Sequence, residues 1–370
     1  MKKLIAVVLL AVAMVSVTQG QTGSRPVRLG IAGMSHDHVH GILGRAPKGD
    51  IELVGIWEPN QALAARLAGR YKFDSALVFS DLATMLDKTR PEAVAAFGSI
   101  ADHLPVLQAC APRGVHVMVE KPLAFRFDDA RAIRDLAERH KIHVLTNYET
   151  TWYPSVHAAG ELVAKDAIGD LRKIVVRDGH RGPREIGCSE EFLAWLTDPD
   201  GNGAGALVDF GCYGANLITW LMSGATPLSV TAVTQRIKPD IYPKVDDEAT
   251  IIVTYPQAQG IIQASWNWPV GRKDMDIYGR HGYLSAPDGT RLRMRKNERS
   301  TEEPVTIPGL EAPYNDSFAY FAAVVRGTVE VRERDLSSLT NNMVVVRILD
   351  AAIRSAREGR TILLTDESRK

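Results

Sequence analysis

The stretch Val27-Arg28-Leu29-Gly30-Ile31-Ala32-Gly33-Met34-Ser35-His36-Asp37-His38 decides the fold of this chain. Its first six residues read as a buried strand, and Gly33 ends it. The residues that follow stand where a dinucleotide fold carries G-x-G-x-x-G. In that turn the first glycine permits the tight bend, the second lets backbone approach a pyrophosphate, and the third allows close helix–strand packing. Here Ser35 and His38 occupy the last two glycine positions. By itself the pattern is equally that of an ordinary strand-to-helix turn.

The neighbouring sequence supports the first reading. Apolar runs at Ile51 to Trp57, Ala93 to Phe97, Val115 to Val119 and His143 to Leu145 alternate with helical patterns at Gln61 to Tyr71, Ala101 to Pro112 and Asp128 to His140. Such alternation implies an α/β domain with a Rossmann-type, doubly wound parallel sheet over residues 25–148, binding ligands at the carboxyl ends of its strands. Glu58 ends the second strand, where an acid accepts hydrogen bonds from an adenosine ribose and repels a 2′-phosphate. It therefore favours NAD over NADP, a solvated loop acid being the plainer alternative.

Residues 149–365 change character. A helix at Pro154 to Ala164 precedes β-rich runs at Leu171 to Val176, Leu228 to Gln235, Ala249 to Tyr255, Gly260 to Trp268 and Asp274 to Tyr278. Alternating apolar residues around a Pro-Gln-Ala-Gln-Gly turn predict a hairpin. This half is expected to be an α+β domain with an open, mostly antiparallel sheet, closed by helices at Ser317 to Arg326 and Asn342 to Glu358.

Composition narrows the function. The 370 residues are 45% hydrophobic and 24% charged, with 44 basic against 44 acidic side chains and three cysteines. Disordered and disulfide-scaffold classes are excluded, and a chain without net charge is no dedicated nucleic-acid binder. Lys2 and Lys3, the apolar run Leu4 to Val15, and Thr18 and Gly20 read as a secretory signal over residues 1–20, cut before Gln21. The apolar run is too short for a bilayer, which needs ~20 residues. The expected protein is periplasmic or secreted, with no membrane contact after cleavage. The alternative is an uncleaved anchor.

Three groups of residues can carry chemistry. Lys121, in Glu120-Lys121-Pro122, sits at the carboxyl end of a strand, where an ammonium can hold a substrate hydroxyl. Asp209, Tyr213 and Asn216 fall at i, i+4 and i+7 on one face of an apolar helix. Burying them demands partners, so they line a polar pocket or a structural network. His36, Asp37, His38 and His40 are the densest set of metal-capable side chains, but they read as a helix cap or phosphate and sugar contacts rather than a metal site. His180 and Arg181 lie in a loop that reaches substrate groups or solvent. Trp266 and Trp268 share a strand face, for core packing or for stacking on a sugar.

These residues resemble the glucose–fructose oxidoreductase / inositol dehydrogenase (Gfo/Idh/MocA) family. The carrying features are Gly30-Ile31-Ala32-Gly33, Glu58, Ala101-Asp102-His103 after Phe97-Gly98-Ser99, Glu120-Lys121-Pro122-Leu123-Ala124, and Asp209 to Asn216. The resemblance implies an NAD(P)-dependent oxidoreductase of the CH–OH group acting on a sugar or polyol, assembled as a homo-dimer or homo-tetramer. It places Gly30, Gly33, Ser35, His36 and His38 at the cofactor, together with Glu58, Ser99, His103 and Glu120. Lys121, His180, Arg181 and Asn216 then fall at the substrate. Lys121, Asp209 and Tyr213 match its catalytic residues, with Tyr213 where many members have a histidine. A tyrosine is a poor base at neutral pH, so Lys121 is expected to depress its pKa. The chain departs from the family in its glycine turn, in Thr150-Thr151-Trp152-Tyr153-Pro154 where arginines are frequent, and in a signal without twin arginines. Because an unfolded exported chain carries no cofactor, two alternatives stay open. One is a redox-assisted glycosidase or lyase that recycles its cofactor, and the other is a cofactor-free sugar-binding protein.

Overall fold

The computed structural model describes residues 25–364. The expected signal segment lies outside the described residues. The first half alternates β1 (Val27–Ala32), α1 (Val39–Leu43), β2 (Ile51–Trp57), α2 (Gln61–Tyr71), β3 (Val78–Phe79), α3 (Leu82–Thr89), β4 (Ala93–Ala96), α4 (His103–Cys110), β5 (His116–Glu120), α5 (Phe127–His140) and β6 (Val144–Asn147). The six strands form a parallel sheet in the order β3-β2-β1-β4-β5-β6, a doubly wound arrangement whose order reverses between β1 and β4. Every residue of β4 is buried, as a strand covered on both faces requires. Local chemistry sets the helix ends. Asn60 caps α2 at the Ala62 and Leu63 amides, and α5 places Asp128 and Asp129 in its first turn and Arg139 and His140 in its last.

The second half begins with α6 (Pro154–Ala164) and β7 (Leu171–Gly179), then four short helices: α7 (Glu190–Leu196), α8 (Pro199–Asn202), α9 (Ala206–Asp209) and α10 (Gly211–Leu221). Strands β8 (Ser229–Gln235), β9 (Glu248–Thr254), β10 (Gln259–Ser265), β11 (Arg272–Gly279), β12 (Tyr283–Asp288), β13 (Arg291–Arg295) and β14 (Glu303–Pro304) follow. With β7 and the terminal β15 (Ile362–Leu363) they make a nine-stranded sheet, β14-β13-β12-β11-β7-β10-β9-β8-β15. Its pairings are antiparallel except β7 with β10. The expected hairpin is β9–β10, and the alternation along β9 leaves one face covered and the other open. Trp266 and Trp268 lie just past the end of β10 rather than on it.

The closing helices, α11 (Ser317–Val325) and α12 (Leu339–Glu358), do not both stay with this second sheet. Phe318 and Phe321 of α11 enter the core of the parallel sheet beside Ile31 and Phe97, and Arg326 is bonded twice to Glu92 at 2.8 and 2.9 Å. α12 packs its Ile348 and Leu349 under the second sheet and its Val346 into the first core. The two halves are thereby held at a fixed cleft.

Candidate active site

The cleft holds a cavity of about 690 Å³ between the carboxyl end of β5 and the second sheet, lined among others by His38, Lys121, Glu149, Tyr153, His180, Asp209, Tyr213 and Lys273. Lys121 follows β5 directly. Its ammonium forms an ion pair with the Asp209 carboxylate and also donates to the Asp209 carbonyl at 3.2 Å. The other Asp209 oxygen accepts the Trp266 indole N–H at 3.0 Å. Burial by itself would lower the Lys121 pKa, but the adjoining carboxylate outweighs it and the ammonium is held above its usual range. Burial likewise pushes Asp209 up, and Lys121 more than reverses this. Both charges persist across the neutral range.

A second ion pair, illegible in the sequence, stands across the cavity. Lys273 of β11 pairs with Glu149, which also accepts the Tyr153 hydroxyl. The Lys273 ammonium lies 4.3 Å from the centre of the Tyr213 ring, with that of Lys121 at 5.3 Å. Neither lysine makes Tyr213 a base. Burial raises its pKa well above 10, and the nearby Asp178 and Glu149 carboxyls add to the effect. The expected depression by Lys121 is thus corrected, because desolvation of a phenolate outweighs ammonium groups that face its ring. Asp178 is itself buried, without a hydrogen-bond partner among the described residues, and burial pushes its carboxyl well above the usual range.

The helical alignment of Asp209, Tyr213 and Asn216 is interrupted. α9 ends at Asp209, and α10 starts after Phe210. Tyr213 lines the cavity, whereas Asn216 is fully buried elsewhere and donates to the Leu336 carbonyl at 2.8 Å. Arg181 is exposed and does not line the cavity; its carbonyl accepts from Lys238 at 2.6 Å. His180 does line it, packed edge-on to Phe210 with its Nδ1 accepting the Gly182 N–H at 2.9 Å. Burial lowers its pKa, so the ring is neutral.

The residues expected at the cofactor divide into two sets. His38 is exposed to the cavity and its Nδ1 lies 2.8 Å from Glu120, which accepts the Asn147 amide at 2.8 Å through its other oxygen. The remainder turn inward. Gly33 has φ +78°, and a Cβ there would come within 2.9 Å of the Gly98 nitrogen, so the tight turn is as expected. Gly30 packs inside β1 against Met85 and Val94. Several of the loop N–H groups, however, are taken. Met34 donates to Glu58 at 2.7 Å, His36 to the Phe97 carbonyl at 2.8 Å, and His38 to His36 Nδ1 at 3.1 Å. Glu58 is 4% exposed, its second oxygen accepting the Asn60 N–H, and burial raises its pKa. Ser99 bonds Asp102, and His103 donates from Nδ1 to the Leu123 carbonyl, bracing the segment after Lys121. Ser35 is half-buried.

The segment 189–202 covers this side of the sheet. Asp37 accepts the Ser189 hydroxyl at 2.6 Å and its N–H at 3.0 Å, and Arg66 makes a bidentate pair with Glu191. Phe192 and Trp195 pack on the His36 ring at 4.6 and 5.5 Å, while α8 rests on the turn Ile100–Asp102. An anion, Asp37, thus stands just before α1, where a pyrophosphate would seek the N–H groups of the turn. As arranged here, polar groups at the ends of β1, β2 and β4 close on one another, while the β5 side of the cleft is open. His36, His38 and Glu120 group their ligand-capable atoms within 4.8 Å. But His38 and Glu120 are bonded to each other, and His36 gives Nδ1 to an N–H, which leaves the proton on Nε2.

A Rossmann domain joined to an open-faced sheet, with a lysine at the β5 end facing an aspartate on a helix, defines a class of two-domain oxidoreductases. The chain belongs to the Gfo/Idh/MocA family. The model of its oxidoreductase family, NAD-binding Rossmann fold, matches residues 27–148, and that of the GFO/IDH/MocA C-terminal domain matches residues 156–285. The family is NAD(P)-binding and acts on sugar alcohols or diols. The trans-1,2-dihydrobenzene-1,2-diol dehydrogenase of Xenopus tropicalis is 24% identical over 261 residues, 68% of this chain and 74% of that one. The D-apiose dehydrogenase of Paraburkholderia graminis is 23% identical over 318 residues, 81% of this chain and 80% of that one. Among solved structures, an inositol dehydrogenase homolog from Azotobacter vinelandii complexed with NAD+ superposes with a TM-score of 0.79 at 18% identity, covering 92% of this chain and 98% of that one. The aldose-aldose oxidoreductase of Caulobacter crescentus complexed with glycerol gives 0.76 at 18% identity, covering 92% and 100%.

Proposed function

We propose that this chain is an exported NAD(P)-dependent oxidoreductase acting on a hydroxyl of a sugar, polyol or glycoside. The observation that carries the reading is the cavity itself, polar on both walls, with two ammonium–carboxylate pairs facing each other across Tyr213. Such a lining suits a ligand rich in hydroxyls, each able to donate to Glu149 or Asp209 and to accept from Lys121, Lys273 or the neutral Tyr213 phenol. Lys121, held charged by Asp209, stabilises negative charge on the reacting oxygen, and Trp266 fixes Asp209. His180, with its proton on Nε2, donates to a second hydroxyl. The family's cofactor, NAD or NADP, supplies the redox change when bound. Residues 1–20 direct export, and the open face of the second sheet joins copies into a dimer or tetramer.

The test is NADH formation by the mature protein against a panel of sugars, polyols and glycosides, with light scattering for assembly. Turnover that Lys121→Met reduces more than 100-fold is the expected result. The filled crevice favours one other reading, a cofactor-free sugar-binding protein. Calorimetric binding of a panel sugar, with neither NAD+ nor NADP+ bound at millimolar concentration, would establish it and overturn the first.

A further inference from the structure

We propose that His38, oriented by the buried Glu120 carboxylate, is the base that takes the proton from the substrate hydroxyl in this cavity. The inference rests on the cavity acting on a carbohydrate hydroxyl, and it fills the place that Tyr213 vacates. His38 stands at the third glycine position of the dinucleotide turn, where a small residue ordinarily lets helix and strand close up. Here the side chain is 43% exposed, and the residue lines the same cavity as Lys121, Asp209 and Tyr213.

Its orientation comes from a chain of hydrogen bonds. The Trp152 indole donates to Asn147 at 3.0 Å, Asn147 donates to Glu120 at 2.8 Å, and the other Glu120 oxygen meets His38 Nδ1 at 2.8 Å. Glu120 is 1% exposed. Burial pushes its carboxyl up, but His38, Asn147 and Lys121 bring it below the usual range, so it is ionised. An ionised carboxylate only accepts, so His38 Nδ1 carries a proton toward it, and in the neutral ring Nε2 is then the bare nitrogen. Facing His38 are also the His36 ring at 4.4 Å and, around the cavity, Asp37, Lys121 and Glu149.

The other nitrogen and phenol groups of the cavity lack a free lone pair. His180 has the opposite tautomer, since its Nδ1 accepts the Gly182 N–H and Nε2 holds the proton. Lys121 and Lys273 are ammonium partners of carboxylates, and the Tyr213 phenol is held protonated by burial. The step is a proton transfer alone. The substrate O–H bond breaks, an Nε2–H bond forms, and the resulting imidazolium is paired with Glu120 while Lys121 faces the oxygen anion.

The tautomer is read directly by nitrogen NMR of the protein labelled at histidine, with His38→Gln assigning the signal. A protonated Nδ1 and a bare Nε2 on His38 are expected, with the reverse on His180; Nε2–H on His38 overturns the proposal whether or not any panel compound is oxidised. Where the panel yields a substrate, His38→Ala lowers kcat about 100-fold or more with KM little changed, and added imidazole restores turnover. An unchanged kcat in His38→Ala overturns the proposal and leaves the oxidoreductase reading standing. A wild-type protein without turnover on the whole panel counts against that reading instead, and the tautomer then decides His38 on its own.

Discussion

The carboxyl edge of the parallel sheet has two halves that treat their polar groups in opposite ways. At β1, β2 and β4, polar groups close on one another: the Met34 and Asn60 amides on Glu58, Ser99 on Asp102, Asp37 on Ser189. On the β5 side, Lys121 joins His38 of the β1 turn and Tyr213, Lys273 and His180 of the second half in lining an open cavity. The first half is anchored by its hydrogen bonds, and the second keeps donors and acceptors for something else. Residue type at a strand end is thus a poor guide to function. What decides is whether the bonds of the side chain are completed within the protein.

The largest effect that could break this contrast comes from Lys121→Ala. Removing one partner of a buried pair leaves Asp209 uncompensated, at a cost of about 3–5 kcal/mol. Denaturant unfolding should show this as a lower midpoint, and an unchanged midpoint would mean that Asp209 is solvated. Trp266→Phe removes one hydrogen bond to the same carboxylate, for about 1.5–3 kcal/mol by the same measurement. Asp37→Ala probes the closed half. It frees Ser189 and removes an anion from the start of α1, so NAD+ should bind about tenfold more tightly, or ~1.4 kcal/mol, by calorimetry. Equal affinity would show that the segment 189–202 does not restrict entry.

The smallest effect tests the seam between the domains. Hydrogen bonds from Arg326 lower the Glu92 pKa to about 2. A depressed acid stabilises the fold fully above its ordinary pKa of ~4.5 and loses that contribution as pH falls toward the depressed value. Thermal unfolding of Glu92→Gln should therefore approach that of the wild type between pH 4.5 and pH 2 and lie below it at neutral pH. A constant gap across that range would remove the pair from the account of acid stability.

Much of this was legible beforehand. The strand–helix alternation of residues 27–147 predicts the sheet that is found, and the β9–β10 hairpin follows from alternating apolar residues around its turn. Lys121 is legible as a residue at a strand end, and Asp209 as a costly acid on an apolar helix. The misplacements have physical causes. A polar helix face from Asp209 onward would put Asn216 in the pocket, but Asn216 is covered by the distant segment at Leu336, to whose carbonyl it donates. Nothing in the spacing of Lys273 or Glu149 marks them, since they meet across 124 residues of chain.

The sequence by itself determined the two-domain plan and the strand ends that carry Gly33, Glu58 and Lys121, because hydrophobic period and turn chemistry act within a few residues. Only the tertiary structure decided which polar groups are spent. Glu58 and Tyr213 look reactive as residue types, yet burial and neighbouring amides or carboxyls quiet both. His38 looks like a damaged glycine, yet a carboxylate 82 residues away orients it. Desolvation and hydrogen-bond completion depend on what packs around a group, and the packing partners come from distant parts of the chain.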